Sequence, residues 1–265
     1  MELSNRDFEI FQKIIYDLCG ICITEQKKEL LKNRLIKRIT KLNLDSFTEY
    51  RKFISDNKNS HEIEFLINAI STNKTEFYRE IKHFQFLQNI LITNYKDNNN
   101  ELYIWCAASS TGEEPYSRAM TILENLPNIS LRKIKILATD IDTDVLNKAQ
   151  KGVYSKEQVT GVPNLQLKKY FTHNNETYEV KQNVKDLISF RQLNLIKDFP
   201  FNKEFDFIFC RNVMIYFDLP TQEKLIGKFY KLIKADGYLF VGHTESLSRL
   251  NIKLKYVCPS VYIKN

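Results

Sequence analysis

The 265-residue sequence predicts a doubly wound α/β domain preceded by an all-helical module. Two observations carry this. The stretch Leu102 to Met120, LYIWCAASSTGEEPYSRAM, passes from a short apolar run through small residues into a helix. Strand, small-residue loop and helix in that order make the ligand-binding corner of such a domain. Residues 1–70, by contrast, carry apolar residues at helical spacing.

Ser4 with Asp7 three residues later resembles a capping box, and Phe8, Phe11, Ile14, Ile15 and Leu18 follow with helical periodicity. A second helix is expected from about Glu25 to Lys41. Leu30, Leu31 and Leu35 would face a core, while Lys27, Lys28, Lys32, Arg34, Lys37, Arg38 and Lys41 make the helix strongly basic. Such a helix could dock on acid, although most charge runs are solvated faces. Phe47, Tyr50 and Phe53, and then Ile63, Leu66, Ile67 and Ile70, mark two shorter amphipathic helices. Ser71 to Arg79 is a polar interruption in which Thr75 would cap the next helix. That helix, with Phe84, Phe86, Leu87, Ile90 and Leu91, would cover a sheet. The expected division is therefore a helical domain over 1–70, a linker and covering helix over 71–90, and an α/β domain over 91–265.

Within the α/β part, Asp97 to Asn100 turns into a buried strand, Leu102 to Cys106. Ala107, Ala108, Ser109 and Ser110 let a ligand approach the backbone, and Gly112 permits a tight turn. Glu113-Glu114-Pro115 opens a helix, with proline in the first turn. A second strand, Lys135 to Thr139, ends in Asp140 and precedes a helix from about Thr143 to Gln150. A further helical stretch lies near Leu165 to Tyr170. Tyr178-Glu179-Val180 and Leu187 to Phe190 read as a small β-hairpin within about 171–192. Phe205 to Cys210 is another buried strand. Thr221 to Ile233 is a helix closed by Asp236-Gly237, and Tyr238 to Val241, Lys255 to Val257 and Val261 to Ile263 supply the last strands.

The charges at the corner narrow the ligand. A phosphate site presents bare N–H groups at a helix N-terminus, whereas here Glu113 and Glu114 stand there and would repel phosphate. An acid at the end of the second strand conventionally takes ribose hydroxyls, the place of Asp140. Acid at both places suits a cationic nucleoside without phosphate, such as S-adenosylmethionine. Taken singly, the glutamates could merely complement the helix dipole and Asp140 could cap the next helix.

Composition is that of a globular protein, with 43% hydrophobic and 27% charged residues. No apolar run is long enough for a membrane span, and the N-terminus lacks the pattern of a signal peptide. Five cysteines, an odd number, fit a reducing cytoplasm. Cys19 and Cys22 form a lone C-x-x-C that reads as two ordinary thiols, and no metal is expected. The net charge of +7 favours an acidic partner, either nucleic acid or an acidic protein surface.

Five segments, in order, resemble the chemotaxis receptor methyltransferases (CheR): STNKTEFYR (71–79), ASSTGEEPYS (108–117), ATDIDTD (138–144), FCRNVMIYF (209–217) and GHTES (242–246). The basic second helix is similar to the family's N-terminal module. The resemblance implies a Rossmann-like S-adenosylmethionine-dependent methyltransferase domain with a small β-subdomain. It implies methyl transfer to glutamate side chains on the cytoplasmic helices of chemoreceptors, with S-adenosylhomocysteine as product. Carried over, Asn73, Thr75 and Arg79 would lie against cofactor and acceptor, Glu113 would take the methionine amino end, and Asp140 the ribose. Asn194 and Leu195 would flank the adenine, Arg211 and Asn212 would close the pocket, and Arg79 and Tyr216 would stand nearest the transferred methyl. Docking through the basic helix, about 25–41, is implied too; nucleic-acid binding and membrane insertion are not. Family members that tether to a receptor's C-terminal pentapeptide carry a glycine-bearing loop in the β-subdomain. His173 to Thr177 has no glycine and looks shortened, which predicts recognition without the pentapeptide. His243 reads as structural, because a carboxylate acceptor needs no general base. The rival readings are an RNA or other protein methyltransferase of the same fold, and a non-catalytic cofactor-binding signalling module.

Overall fold

The structure, a computed structural model, describes residues 1–56, 61–95, 101–126 and 133–265. The turn expected at Asp97 to Asn100 lies outside them. Helix α1 (Asn5–Cys19) starts at Ser4, whose Oγ accepts the Asp7 N–H at 3.1 Å, and ends at left-handed Gly20. A 3₁₀ turn, Glu25–Lys27, leads into α2 (Lys28–Lys41), followed by α3 (Phe47–Asp56) and α4 (His61–Ile70). These four helices enclose their own core around Phe8, Phe11, Leu31, Leu35, Tyr50 and Leu66. Two inward positions differ from expectation. On α2 the buried row is Leu31, Leu35 and Ile39, leaving Leu30 46% exposed. On α3 Ile54 is buried and Phe53 only half-buried. In both helices the other expected residues stay inward, and the more exposed one lies next to a buried neighbour, about 100° away around the helix.

Helix α5 (Ile81–Ile90) begins at Glu80, a left-handed residue with φ 61°; Thr75 lies upstream in irregular chain and does not cap it. The α/β part then runs β1 (Leu102–Ala107), α6 (Glu113–Asn125), β2 (Ile134–Asp140), α7 (Thr143–Lys151), β3 (Val153–Ser155), α8 (Asn164–Tyr170), β4 (Phe171–Asn174), β5 (Thr177–Val180), α9 (Gln182–Lys185) and β6 (Ile188–Gln192). It finishes with β7 (Phe205–Cys210), α10 (Leu219–Leu232), β8 (Ile233–Val241), β9 (Lys255–Cys258) and β10 (Val261–Ile263). The main sheet has the order β6-β2-β1-β7-β8-β10-β9. Neighbours from β6 to β8 are parallel, and β10 pairs antiparallel with both β8 and β9. Every residue of β1 and β7 is buried, as expected for central strands covered on both faces. Trp105 is fully buried and ties β1 to β2 through its indole N–H, which donates to Thr139 Oγ1 at 2.9 Å.

The expected hairpin is paired differently. Phe171–Asn174 and Thr177–Val180 form it, with β3 on the other side of β5, whereas Ile188–Gln192 joins the edge of the main sheet beside β2. The inward alternation of Ile188 and Phe190 fixes that place. Asp236-Gly237 lies inside β8 rather than at a helix end, with Asp236 at φ 60°.

Going out from β1 the chain winds first to β2 and β6, then to β7 and β8. A crevice opens at the carboxyl ends of the strands where that order reverses, between β1 and β7. The helical module roofs it. Asn194 Nδ2 donates to Leu18 O at 2.7 Å, the Cys22 N–H to Tyr216 O at 2.8 Å, and Asn68 Nδ2 to Thr143 Oγ1 at 3.1 Å.

Candidate active site

The crevice is a cleft open to solvent, enclosing about 660 Å³. Asn73, Thr75, Arg79, Asp140, Arg211, Asn212 and Tyr216 all line it. A more apolar recess of about 420 Å³, bounded by Leu193, Asn194, Leu195 and Phe217, shares Ala108, Asp140, Val213 and Tyr216 with the cleft. The sequence-derived residues thus converge on one place, with one exception. Glu113 is 2% exposed, accepts the Thr111 hydroxyl at 2.6 Å and does not line the cleft; Glu114 does. Successive residues of a helix point about 100° apart, which turns Glu114 to the cleft and Glu113 away from it.

The floor is built from backbone bends. Ala108 and Ser110 have positive φ, 81° and 48°, which turns the chain sharply after β1. The Ser110 N–H donates to Asp140 Oδ2 at 2.8 Å, and the Asp142 N–H to Asp140 Oδ1 at 3.1 Å. Asp140 therefore does not cap α7. Asp142 does, accepting from the N–H groups of Asp144 and Val145 and also holding Asn73 Nδ2 at 2.7 Å. Burial raises the Asp140 carboxyl to about 6, opposed by those backbone N–H groups, so at neutral pH it remains an anion with free lone pairs.

Arg211 organises the opposite wall. Its side chain is 1% exposed and is shared between Glu80, at 3.0 Å, and Glu114, while Nη2 donates to Arg79 O at 2.7 Å. Burial opposes both charges, yet the guanidinium holds the Glu80 carboxyl below its usual range. Tyr78 and Glu80 both have positive φ, so this turn depends on the arginine that grips it. A second arginine, Arg118, is fully buried between the rings of Phe84, 3.7 Å away, and Phe209, 3.9 Å away. No guanidinium nitrogen of Arg118 has a hydrogen-bond partner among the described residues. Burial lowers it to about 9, and stacking on two ring faces replaces hydrogen bonding. Two glutamates and two arginines leave this wall electrically balanced.

Glu80, His83 and His243 bring possible ligand atoms within 4.8 Å of one another. The Glu80 oxygen nearest both rings is already held by Arg211 at 3.0 Å. A metal ion there would have to displace a buried guanidinium, and Glu80 serves instead as an anchor of Arg211. Burial, with Arg211 and Arg118 nearby, pushes His83 down to about 3, and it is neutral. Sequence reasoning missed Glu80 and Arg118, and named Glu114 only as one of the acidic pair at the helix start. Only tertiary partners distinguish them.

A third depression, about 810 Å³, adjoins the cleft at Ile21, Thr72 and Tyr216 and is walled by Ile23, Leu30, Leu31 and Ile70 with Lys27 and Arg34. Lys27 Nζ lies 5.1 Å above the Tyr216 ring. Arg34 caps the end of α4 by donating to Ile70 O. Arg38 makes hydrogen bonds of 2.6–3.1 Å to Glu62 and is half-buried. Part of the basic helix is thus committed to the fold, while Lys27, Lys37 and Lys41 are exposed.

An S-adenosyl nucleoside fits this donor set: a buried carboxylate at the end of β2, an apolar recess beside it, small residues on the floor and Glu114 at the far end. Residues 73–263 match the family described as CheR methyltransferase, SAM binding domain, and residues 6–71 match the CheR methyltransferase all-alpha domain. The chain is 41% identical over 261 residues to the chemotaxis protein methyltransferase of Borreliella burgdorferi, covering 96% of this chain and 92% of that protein. The corresponding figures for the Escherichia coli chemotaxis protein methyltransferase are 38% over 267 residues, 99% and 92%. For chemotaxis protein methyltransferase 2 of Pseudomonas aeruginosa they are 38% over 264 residues, 98% and 93%. Matched along nearly its whole length by these families and relatives, the chain belongs to the CheR methyltransferases and uses S-adenosylmethionine.

Proposed function

We propose that this chain methylates glutamate side chains on the cytoplasmic helices of chemoreceptors, forming glutamate methyl esters in chemotactic adaptation. The observation that carries the reading is the convergence of Asp140, Arg79 and Tyr216 on one cleft that continues into a depression walled by the basic helix. Asp140 accepts from ribose hydroxyls. The Asn194–Leu195 recess takes the adenine, and Glu114, rather than Glu113, faces the ammonium group. When bound, the cofactor would supply an electrophilic methyl on a sulfonium sulfur, with a neutral thioether as the leaving group. An acceptor glutamate, with a pKa of about 4.3, is already an anion at neutral pH, so the protein supplies no general base.

The residues therefore align rather than activate. Arg79, half-buried and anchored by Nη1 on Lys74 O at 2.9 Å, orients the acceptor carboxylate. The Tyr216 hydroxyl donates a hydrogen bond near the methyl. Alignment of this kind can contribute up to about 7–11 kcal/mol. The acceptor helix docks against Lys27, Lys37 and Lys41, and the protein works in the cytoplasm. No helix of the described residues is long and apolar enough to cross a membrane. The β4–β5 turn, Asn175-Glu176, leaves recognition to this basic surface and not to a receptor-tail pentapeptide.

The test is incubation with methyl-labelled cofactor and receptor-containing membranes. Label should enter receptor protein as a base-labile ester. Label that is base-stable, or that enters only RNA, refutes the assignment.

A further inference from the structure

The loop that carries Tyr216 has an unusual anchor. Glu245, 7% exposed in the turn after β8, spreads one carboxylate over five backbone N–H groups. Oε1 accepts from Val213 at 2.9 Å, Met214 at 2.7 Å and Ile215 at 3.3 Å; Oε2 accepts from Asn212 at 2.8 Å and Gly242 at 2.6 Å. Four of these donors are consecutive, Asn212 to Ile215, and lead directly into Tyr216. They include the N-terminus of the 3₁₀ turn Met214–Tyr216, where unpaired N–H groups collect. Asn212 sits at φ 55°, a conformation that a non-glycine residue adopts only when its surroundings hold it there. Gly242 makes room for the carboxylate, since a Cβ there would stand 2.8 Å from Glu245 Oε2 and 2.6 Å from Asn212 Nδ2.

We propose that Glu245 is a positioning residue for methyl transfer: its carboxylate fixes the Asn212–Ile215 backbone and through it places the Tyr216 hydroxyl. This rests on the reading of Tyr216 given above. Glu245 itself does not line the cleft. An amide has a single acceptor oxygen and two donor hydrogens, so Glu245→Gln cannot serve two groups of donors at once. The loop keeps a second tether, because Gln222 Nε2 donates to Met214 O at 3.0 Å and Phe217 O at 2.9 Å. The variant should therefore loosen the loop without unfolding the domain.

Residue-resolved amide exchange on the ligand-free chain tests the anchor. In Glu245→Gln the amides of Asn212, Val213 and Met214 should exchange at least about tenfold faster, with those of β7 and β8 unchanged. Equal rates in both proteins overturn the proposal. Kinetics test the positioning role. Glu245→Gln should lower kcat by about 100-fold, and in a Tyr216→Phe background by less than about threefold further. Full multiplication of the two losses means that Glu245 does not act through Tyr216, and the proposal fails. Should Glu245→Gln not fold, Gly242→Ala crowds the same carboxylate and should show the same local exchange; unchanged exchange there overturns the proposal as well. Wild-type protein that labels no receptor refutes the function instead, and the exchange result stands apart from it.

Discussion

The sheet domain and the helical module handle charge in opposite ways. At the crevice, Asp140, Glu80, Glu114, Arg118 and Arg211 are buried or nearly so, and all but Arg118 are held by short hydrogen bonds to backbone or to one another. On α2 the cations that are not structural stand in water. Buried charges cannot be moved without large cost, so they suit a constant ligand, the cofactor. Solvated charges on long side chains adapt cheaply and suit a partner whose surface varies. On the proposed function, one cleft joins a rigid half that reads a nucleoside to an adaptable half that reads acid.

The largest effect expected from breaking this contrast lies in the rigid half. Arg211→Met strands the Glu80 and Glu114 carboxylates without their cation and should destabilise the fold by about 3–5 kcal/mol in denaturant unfolding. A loss below about 1 kcal/mol would show that the network is not what holds the wall. Next comes Tyr216→Phe, expected to cut kcat about 100-fold while calorimetric cofactor affinity stays within about twofold. Full turnover would dismiss its hydroxyl.

Asp140 sharpens the comparison through pH. Its folded pKa of about 6 lies above the ordinary aspartate value of about 3.9. The folded apo chain thus binds this proton more tightly than the unfolded chain does. The stability Asp140 contributes is present at about pH 4 and declines as pH rises toward 6. On the proposed role of Asp140, cofactor binding runs the other way, because the anion is the acceptor. Affinity should fall by up to about tenfold per unit below pH 6, and Asp140→Asn should flatten that slope. A slope unchanged in the variant assigns the titration elsewhere.

Smaller effects belong to the adaptable half. Replacing Lys27, Lys37 and Lys41 singly by alanine should weaken receptor association by only about two- to threefold each, and the differences should vanish in high salt. The smallest expected signal is none at all: a receptor-tail pentapeptide should not bind. Saturable binding at low micromolar concentration would show that the β-subdomain does tether receptors.

What the sequence disclosed follows the range of the forces involved. The β1 corner was legible because an all-apolar strand, small residues and a helix start lie within twenty positions of one another. Which of Glu113 and Glu114 lines the cleft was not, since Glu114 is paired there with Arg211, far along the chain. Ile188 to Phe190 could be read as a strand, but its partner is Ile136 to Ala138 across the domain, and local pattern suggested a hairpin instead. Arg38 looked like one more surface cation until Glu62 and Tyr50 closed around it. Glu245 lay within GHTES, but nothing local gave its role, because its five donors come mainly from another loop.

Isothermal calorimetry at neutral pH tests most directly whether this cleft is a site for a cationic sulfur nucleoside. One equivalent of S-adenosylmethionine should bind the wild-type chain with measurable heat, and Asp140→Asn should bind it at least about tenfold more weakly. No heat with S-adenosylmethionine, together with tight uptake of a pyridine dinucleotide, would contradict it.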